Sequence, residues 1–379
     1  MAMIYLDYNA TAPLRPTAKV AMLAALDECG NASSIHAAGR RVRAMVENAR
    51  EKVAALVGAN PRAVIFTSGG TEANAAVLKG ATGISRILIS AIEHDSVRAN
   101  ARAIVESMPC IELQEIPVTA DGVVDVTALR TLLEEDKGRV LICVMAANNE
   151  TGVMQPIEAI AKLAKEHGAL LHVDAVPAAW RVALGFDADY LTLSAHKLGG
   201  PQGAGALIVK DNAPFAPLIA GGGQELNRRA GTENVAAIAG FGAATEAAID
   251  LAAENARLAA LRDGLEKKLK SLASNAVIFG ANAPRLVNTS NFAIPGLTAE
   301  TAIIALDLDG VAVSSGAACS SGKVSRSHVL AAMGIPDELS RCGLRVSFGW
   351  TSTEQDADAA IASLKTLLER KSARALAAE

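Results

Sequence analysis

The chain has few aromatic residues, no excess of positive charge and no long apolar run that is free of charges. Aromatic side chains make up 3% of its 379 residues, and alanine takes their place in the predicted helices. A formal net charge of −4 provides no basic surface for nucleic acid or for an anionic membrane. The alanine-rich stretch at 235–251 is interrupted by Glu246 and Asp250, so no membrane-spanning helix is predicted.

Cysteine is also scarce, and its pattern excludes two kinds of site. The five cysteines are scattered along the chain at Cys29, Cys110, Cys143, Cys319 and Cys342. None belongs to a Cys-x-x-Cys pair, which excludes that type of metal site, and the odd number argues against a disulfide framework. The first residues carry no basic region followed by an apolar stretch, so no signal peptide is predicted. We therefore expect a cytoplasmic protein.

Strand-like and helix-like patterns alternate over the first two thirds of the chain. Apolar runs that indicate buried strands occupy residues 63–67, 86–91, 140–146 and 169–173. A long helical region after residue 235 is expected to break near Gly264 or earlier, and short strands and helices follow from Val277. We predict an α/β fold with a mostly parallel sheet flanked by helices. The expected domains are a large one at 14–253 and a smaller α+β domain formed by 1–13 and 254–379.

A lysine follows a further apolar run. Residues 188–193 indicate another buried strand, and Ser194, His196 and Lys197 come directly after it. A rigid strand end can hold a long side chain in one direction, and a desolvated lysine there can condense with an aldehyde. Ser194 and His196 could donate to a phosphate. Taken alone, the pattern favours an ordinary surface lysine, so its meaning depends on the other motifs.

The segment at 68–72, Ser-Gly-Gly-Thr-Glu, is a candidate phosphate cradle. It joins the predicted strand at 63–67 to a helix. Glycines let the backbone approach an anion closely, and a helix N-terminus supplies free N–H groups and a positive dipole end. Taken alone, the pattern is equally typical of an ordinary tight turn.

Three more polar residues follow predicted strands, namely His94, Asn149 and Asp174. Because the carboxyl ends of parallel strands share one edge of a sheet, we expect them to converge with Lys197. A Schiff-base lysine, a carboxylate for the pyridinium nitrogen and a phosphate cradle are the parts of a pyridoxal phosphate site. The buried Asp174 would keep that ring nitrogen protonated, and without such a partner its burial would be costly.

With these motifs in this order, the sequence resembles the NifS/IscS-type cysteine desulfurases, within the class V aminotransferase group of fold type I enzymes. The resemblance covers nearly the whole chain. The segments that carry it are YLDYNAT (5–11), TSGGTEAN (67–74), NNETG (148–152), SAHK (194–197), RAGT (229–232) and SSGAACSSG (314–322). No segment is decisive alone, but their order and spacing together are highly specific.

The resemblance implies roles for the residues of a pyridoxal 5'-phosphate site. Lys197 would form the Schiff base with the cofactor, and Asp174 would face the ring nitrogen. His94 would stack on the ring and assist proton transfer, and Asn149 would contact the ring's phenolic oxygen or the substrate. The residues implied to hold the phosphate are Gly70, Thr71, Ser194 and His196, joined by Thr232 from the other subunit of a homodimer.

On the substrate side, the resemblance implies that Arg345 clamps the substrate carboxylate, a task that suits its planar guanidinium. Asn31 lies in the segment that resembles the family's substrate-side loop. Cys319 stands between Gly316 and Gly322 among small residues, which predicts an exposed, mobile loop. A thiolate there could reach a bound substrate and then an acceptor. The other four cysteines are predicted to be structural, in helical or strand-like stretches.

The implied reaction converts L-cysteine to L-alanine. Its sulfur is held as a persulfide on Cys319 and passed to an acceptor protein, such as an iron–sulfur scaffold. Two alternatives are another class V enzyme, either a transaminase or a selenocysteine lyase, and a weakly active sulfur-carrier or regulatory protein. A transaminase does not need Cys319, and the intact Lys197 and Asp174 argue against the regulatory protein.

Two positions depart from the pattern of this family. The family usually has a glutamine where this chain has Pro177, and a glycine where it has Trp180. The glutamine typically donates a hydrogen bond to the ring's phenolic oxygen, which a proline cannot do. We hypothesise that Pro177 changes the pKa of the cofactor linkage and slows turnover without abolishing cofactor binding.

Overall fold

The structure, a computed structural model, describes residues 3–135, 138–246, 251–315 and 326–376. Strands and helices alternate along most of these ranges. The strands are β1 (Ile4–Tyr5), β2 (Val64–Thr67), β3 (Arg86–Ser90), β4 (Glu112–Ile116), β5 (Val140–Met145), β6 (Leu170–Asp174), β7 (Tyr190–Ser194), β8 (Gly205–Val209), β9 (Val277–Ile278), β10 (Thr289–Ala293), β11 (Val311–Ala312) and β12 (Gly343–Ser347). The helices are α1 (Pro16–Leu26), α2 (Ala37–Val57), α3 (Gly70–Gly80), α4 (Asp95–Ser107), α5 (Val126–Glu134), α6 (Ile157–Glu166), α7 (Val235–Glu246), α8 (Leu251–Leu272), α9 (Ala299–Leu308), α10 (His328–Ala332), α11 (Asp337–Ser340) and α12 (Glu354–Leu376).

Seven strands form the central sheet, in the order β2-β8-β7-β6-β5-β3-β4. The strands from β7 to β4 pair in parallel, whereas β8 runs antiparallel to both of its neighbours. The predicted α/β fold with a mostly parallel sheet is therefore confirmed. The register places Met145, Asp174 and Thr192 side by side on β5, β6 and β7. Residues that follow these strands consequently meet at one edge of the sheet.

Helices cover both faces of this sheet. Strand β5 is buried along its whole length, as expected for an apolar run in a parallel sheet that is covered on two sides. On one face, α2 and α7 contribute Val53 and Phe241 to the core. On the other face, α3 and α4 contribute Val77 and Ala101. Helix α2 buries Val42, Val46, Ala49 and Val53 on one face, and it ends at Gly58, whose φ of 65° suits glycine.

The C-terminal part of the chain builds a second, smaller core. Strands β9, β10 and β12 form an antiparallel sheet, and α8, α9 and α12 supply apolar side chains against it. Strand β1 pairs in parallel with β11, so the N-terminal residues join this part of the molecule. The predicted domain boundary at 253/254 stays a prediction.

Helices α7 and α8 are separated by a sharp bend. Helix α8 passes through Gly264, so the expected break falls earlier, before Leu251. Among the described residues, no single helix is both long and apolar enough to cross a membrane. Helices α7 and α8 meet that criterion only when they are joined across their 83° bend.

The guanidinium of Arg15 lies over the rings of two tryptophans. Its guanidinium carbon is 4.6 Å from the ring centre of Trp180 and 5.4 Å from that of Trp350. The backbone N–H of Arg15 donates to the carbonyl oxygen of Gly199 over 2.8 Å, and its Nε donates to that of Leu198 over 3.1 Å. Trp180 has a φ of 85°, a left-handed conformation that costs a bulky residue free energy. The stacked guanidinium offsets part of that cost.

Candidate active site

A single turn, Ala195–Lys197, follows β7 and carries Lys197. The N-terminal segment holds this turn in place. The backbone N–H of Ala12 donates to the carbonyl oxygen of His196 over 2.8 Å. Nζ of Lys197 donates to the carbonyl oxygens of Asn9 and Ala10. The predicted lysine is therefore oriented by the backbone of a segment more than 180 residues away in sequence.

The glycine-rich segment before α3 has the shape of a phosphate cradle. Gly70 begins α3, and the N–H groups of a first helical turn have no acceptor within the helix. A Cβ added to Gly70 would lie 3.0 Å from Cγ2 of Val176, so a side chain there would crowd its neighbour. The backbone N–H of Ser68 donates to Glu72 over 2.8 Å, and Glu72 pairs with Arg229 at 2.9 Å. These contacts hold the glycine-rich segment against α3 and against Arg229.

Asp174 is the last residue of β6 and is 2% exposed. Its Oδ2 accepts a hydrogen bond from Nδ2 of Asn74 at 2.8 Å, and its Oδ1 accepts one from the N–H of Val176 at 3.0 Å. A buried carboxylate is costly unless hydrogen bonds satisfy it. Because a carboxylate has about four lone-pair sites, Asp174 retains capacity for a further donor, such as a protonated ring nitrogen.

His94 precedes α4 and caps its N-terminus. Its Nδ1 accepts a hydrogen bond from the N–H of Ser96 at 3.1 Å and lies 2.8 Å from Oγ of the same serine. The preceding Glu93 is fully buried and accepts hydrogen bonds from Ser90 and from the N–H of Met145. Burial raises the pKa of Glu93 to about 8. Glu93 thus ties the His94 segment to the end of β5.

Arg345 reaches the same region from β12. Its Nη2 lies 2.6 Å from Oδ1 of Asp7, and its Nη1 donates to the carbonyl oxygen of Asn149 over 3.0 Å. Nε of Arg345 is buried and has no hydrogen-bond partner among the described residues. A guanidinium with an unused buried donor is suited to binding a carboxylate.

These side chains line one cavity of about 390 Å³. The predicted residues in its lining are Gly70, Thr71, His94, Asn149, Asp174, Ser194, His196, Lys197 and Arg345. Asn31 and Thr232 are exposed, and within this chain both lie outside the lining of the cavity. The side-chain Oδ1 of Asn31 instead accepts a hydrogen bond from the backbone N–H of Ser33 at 2.8 Å. Cys319 belongs to residues 316–325, which are outside the described part of the chain.

Several residues of the cavity were given no role from the sequence. The main ones are Asp7, Asn9, Asn74, Ser96, Met145, Val176 and Ser314. Four of them, Asp7, Asn9, Asn74 and Ser314, lie within the segments that carry the family resemblance, which was the available signal. Pro177, the departure from the family pattern, also lines the cavity.

The positions of the other cysteines correct one expectation. Cys143 is buried in β5, but Cys342 lies in a turn before β12, and Cys29 and Cys110 are exposed in irregular segments. The prediction that all four lie in helical or strand-like stretches is therefore wrong for three of them. Pro109 explains one case, because it stands between the end of α4 and Cys110 and cannot continue the helix.

Two histidines near the cavity are held neutral. His172 lies on β6 two residues before Asp174, and its complete burial lowers its pKa to about 4. Burial, followed by the charge of Lys197, lowers the pKa of His196 to about 4 as well. Because an unfolded histidine binds a proton near pH 6.5, the unfolded state takes up protons first as the pH falls. Stability contributed by both histidines is lost between about pH 6.5 and about pH 4.

A His172→Gln variant should therefore lose less stability on acidification than the parent protein. Between pH 7 and pH 5, we expect the drop in the free energy of unfolding to be smaller by about 2 kcal/mol, since each unit of pKa difference is worth about 1.4 kcal/mol. Urea unfolding at the two pH values measures this difference. His167→Gln, at an exposed position, is the control. Equal drops for the parent and His172→Gln would contradict the prediction.

Gly205, on β8, lies directly against the cradle. A Cβ added there would come within 2.6 Å, 2.7 Å and 2.9 Å of three backbone atoms of Gly69. We expect Gly205→Ala to displace Gly69, to destabilise the protein by about 1–3 kcal/mol and to weaken cofactor retention about tenfold. Absorbance after dialysis and urea unfolding measure the two effects. Gly185→Ala is the matched control, because no heavy atom lies within 4 Å of its added Cβ.

The lining of the cavity fits pyridoxal phosphate, the cofactor that the resemblance implies. Lys197 provides an amine, Asp174 provides a buried carboxylate, and the N-terminus of α3 provides a cradle that begins with Gly69 and Gly70. Two buried atoms of the lining, Nε of Arg345 and Oδ1 of Asn74, have no partner in the described residues and are available to a polar ligand. The described residues contain no group of three or more His, Cys, Asp or Glu side chains able to hold a metal ion.

Comparison with known proteins supports a pyridoxal phosphate site in this cavity. The family model for class V aminotransferases matches residues 4–360. The chain is 40% identical to the cysteine desulfurase IscS of Dictyoglomus turgidum, over 97% of this chain and 95% of that protein. Among solved structures, it is similar to a NifS-like protein from Rickettsia africae, with 36% identity, a TM-score of 0.87 and coverage of 97% of this chain and 99% of that one.

A second solved structure, SspA in complex with cysteine, is 29% identical, with a TM-score of 0.79. The comparison covers 91% of this chain and 98% of that one. The chain belongs to the pyridoxal phosphate-dependent class V aminotransferase family, and within it to the cysteine desulfurases.

Proposed function

We propose that this protein takes sulfur from L-cysteine, releases L-alanine and holds the sulfur as a persulfide on Cys319 before passing it to an acceptor protein. The observation that carries the proposal is that one cavity brings together an amine, a buried carboxylate and a guanidinium, those of Lys197, Asp174 and Arg345. The structure of SspA as a complex with cysteine supports an amino-acid substrate of this size.

Different residues of the cavity bind the substrate and the cofactor. Arg345 binds the substrate carboxylate through its unused Nε–H and through the Nη N–H groups that do not donate to Asn149 or Asp7. The first turn of α3, with Ser194 and His196, would hold the phosphate of the cofactor, and Asp174 would accept a hydrogen bond from the ring nitrogen. When bound, pyridoxal phosphate supplies an electron sink for the carbon atoms of the substrate.

Lys197 and Cys319 carry the reacting atoms of the chain. Nζ of Lys197 holds the cofactor and removes the Cα proton of the substrate. The Cys319 thiolate attacks the substrate sulfur, forming an S–S bond as the Cβ–S bond breaks with its electron pair left on Cβ. A proton taken up at Cβ and the return of a proton to Cα complete alanine. One thiol and one cysteine thus give one persulfide and one alanine, with no external oxidant.

The test is the release of alanine and sulfide from L-cysteine in the presence of a thiol reductant, for the parent protein and for Cys319→Ser. We expect equal amounts of both products from the parent and less than about one-hundredth of that rate from the variant. Cys110→Ser, at an exposed cysteine, is the control and should keep the parent rate. Keto-acid formation that survives Cys319→Ser would instead identify a transaminase.

We infer further that the protein works as a homodimer in which Thr232 completes the phosphate site of the other subunit. Thr232 is exposed and is not part of the lining of the cavity in its own chain, and both observations support this arrangement. Light scattering measures the assembly. Co-expressing Thr232→Ala with Lys197→Ala tests whether Thr232 acts in the site of the other subunit. A mixed dimer then holds one complete site, with Lys197 from one subunit and Thr232 from the other, and it should exceed the activity of either variant alone.

A further inference from the structure

Asn74 and Ser96 join Asp174 to His94 through a chain of hydrogen bonds. Nδ2 of Asn74 lies 2.8 Å from Oδ2 of Asp174 and 2.9 Å from Oγ of Ser96. Oγ of Ser96 lies 2.8 Å from Nδ1 of His94. Asn74 is 1% exposed and Ser96 is 8% exposed, so water does not compete freely for these groups.

The direction of each bond in this chain can be determined. An amide nitrogen has no lone pair to accept with, so Nδ2 of Asn74 donates one proton to Asp174 and the other to Ser96. The opposite orientation of the Asn74 amide would place its oxygen against the carboxylate. Because Oγ of Ser96 accepts from Asn74, its own proton is directed to the remaining partner, His94.

The backbone confirms this direction independently. The N–H of Ser96 also donates to Nδ1 of His94, at 3.1 Å. A proton on Nδ1 would point at the proton of that N–H. Nδ1 is therefore unprotonated and accepts through its lone pair. A neutral imidazole has one protonated nitrogen and one acceptor nitrogen, and its proton is therefore on Nε2.

We propose that Asn74 and Ser96 are positioning residues that hold His94 as its Nε2–H tautomer, so that His94 presents a hydrogen-bond donor to the cavity. Nδ1 is occupied by Ser96, and Nε2 is the ring nitrogen left for a bound molecule. His94 then stabilises negative charge at that point and does not act there as a proton acceptor. The consequence for catalysis rests on the proposed function, whereas the tautomer does not.

The tautomer can be measured by ¹⁵N NMR of the full-length protein labelled at histidine, with and without cofactor. The chain has six histidines, and His94→Gln assigns the signal. In the parent, we expect Nδ1 to have the shift of an unprotonated nitrogen and Nε2 that of a protonated one. Ser96→Ala and Asn74→Ala should each lower the ratio of Nε2–H to Nδ1–H about fivefold, the value of one neutral hydrogen bond.

The double variant distinguishes this chain from two separate contacts. Because Asn74 acts on His94 through Ser96, the double variant should lower the ratio no further than Ser96→Ala does. Ser107→Ala, which removes an exposed hydroxyl from the same helix α4, is the matched control and should leave the ratio unchanged. A proton on Nδ1 in the parent, or variants with the parent ratio, would overturn the proposal.

Kinetics with L-cysteine supply a separate readout. Ser96→Ala should lower kcat about fivefold with KM unchanged, and Ser96→Thr, which keeps the hydroxyl, should restore kcat. A loss of kcat with an unchanged tautomer ratio would mean that the serine acts through packing alone, and would overturn the proposal. A parent protein without turnover would refute the proposed function, while the NMR result would still decide the tautomer.

Discussion

Replacing Lys197 with alanine is expected to abolish covalent attachment of the cofactor and to lower L-cysteine turnover at least about a thousandfold. The variant loses the amine that condenses with the cofactor. It also loses two hydrogen bonds to the backbone of Asn9 and Ala10, which connect the turn after β7 to the N-terminal segment. Absorbance of the purified protein and initial rates of alanine release measure the two effects.

Two further variants isolate the chemistry from the packing. Lys197→Arg keeps a long cation that can donate to the same carbonyl oxygens but cannot condense with an aldehyde, so we expect it to remain inactive. Lys210→Ala removes a lysine that follows β8 and pairs with the exposed Asp187, and it should keep the parent rate. Substantial turnover by Lys197→Arg would refute the assigned role of Lys197.

The second large effect is expected at Arg345. Arg345→Ala removes the proposed charge-assisted clamp on the substrate carboxylate, whose loss is worth about 2–3 kcal/mol, so KM for L-cysteine should rise about a hundredfold. The same change leaves Asp7 without its guanidinium partner at 2.6 Å, so the protein should also be less stable. Initial rates over a range of L-cysteine concentrations and urea unfolding measure the two consequences.

The double variant Arg345→Ala with Asp7→Asn separates these consequences. Removing the unpaired carboxylate should recover stability, whereas KM should stay high because the clamp is still missing. Arg285→Ala is the matched control, since Arg285 forms a comparably buried pair with Glu266 at 2.7 Å outside the cavity. It should lower stability and leave KM unchanged. Recovery of KM in the double variant would contradict the role of Arg345.

The part of the site that could be predicted from the sequence is the part built by consecutive strand ends. Asp174 and Lys197 each follow an apolar run, and parallel pairing brings such positions to one edge of the sheet. The glycines before α3 were identifiable for a similar reason, because a strand-to-helix turn has a recognisable composition.

The remaining contacts depend on long-range packing that no local pattern encodes. Asp7 meets Arg345 across 338 positions, and Asn74 meets Asp174 across 100. Gly205 has no side chain, and the backbone of Gly69, in the connection between β2 and α3, occupies the space that this leaves. Thr232 is not part of the lining of the cavity, so the role proposed for it requires a second subunit.

The stacking of Arg15 gives the protein an intrinsic optical probe. Its two tryptophans, Trp180 and Trp350, are the whole of its indole content, and both rings face the same guanidinium. Arg15 is hydrogen-bonded to Leu198 and Gly199, directly after Lys197. The tryptophan fluorescence of the protein therefore originates beside this turn, and its emission reports, without any attached dye, a movement of the backbone that carries Lys197.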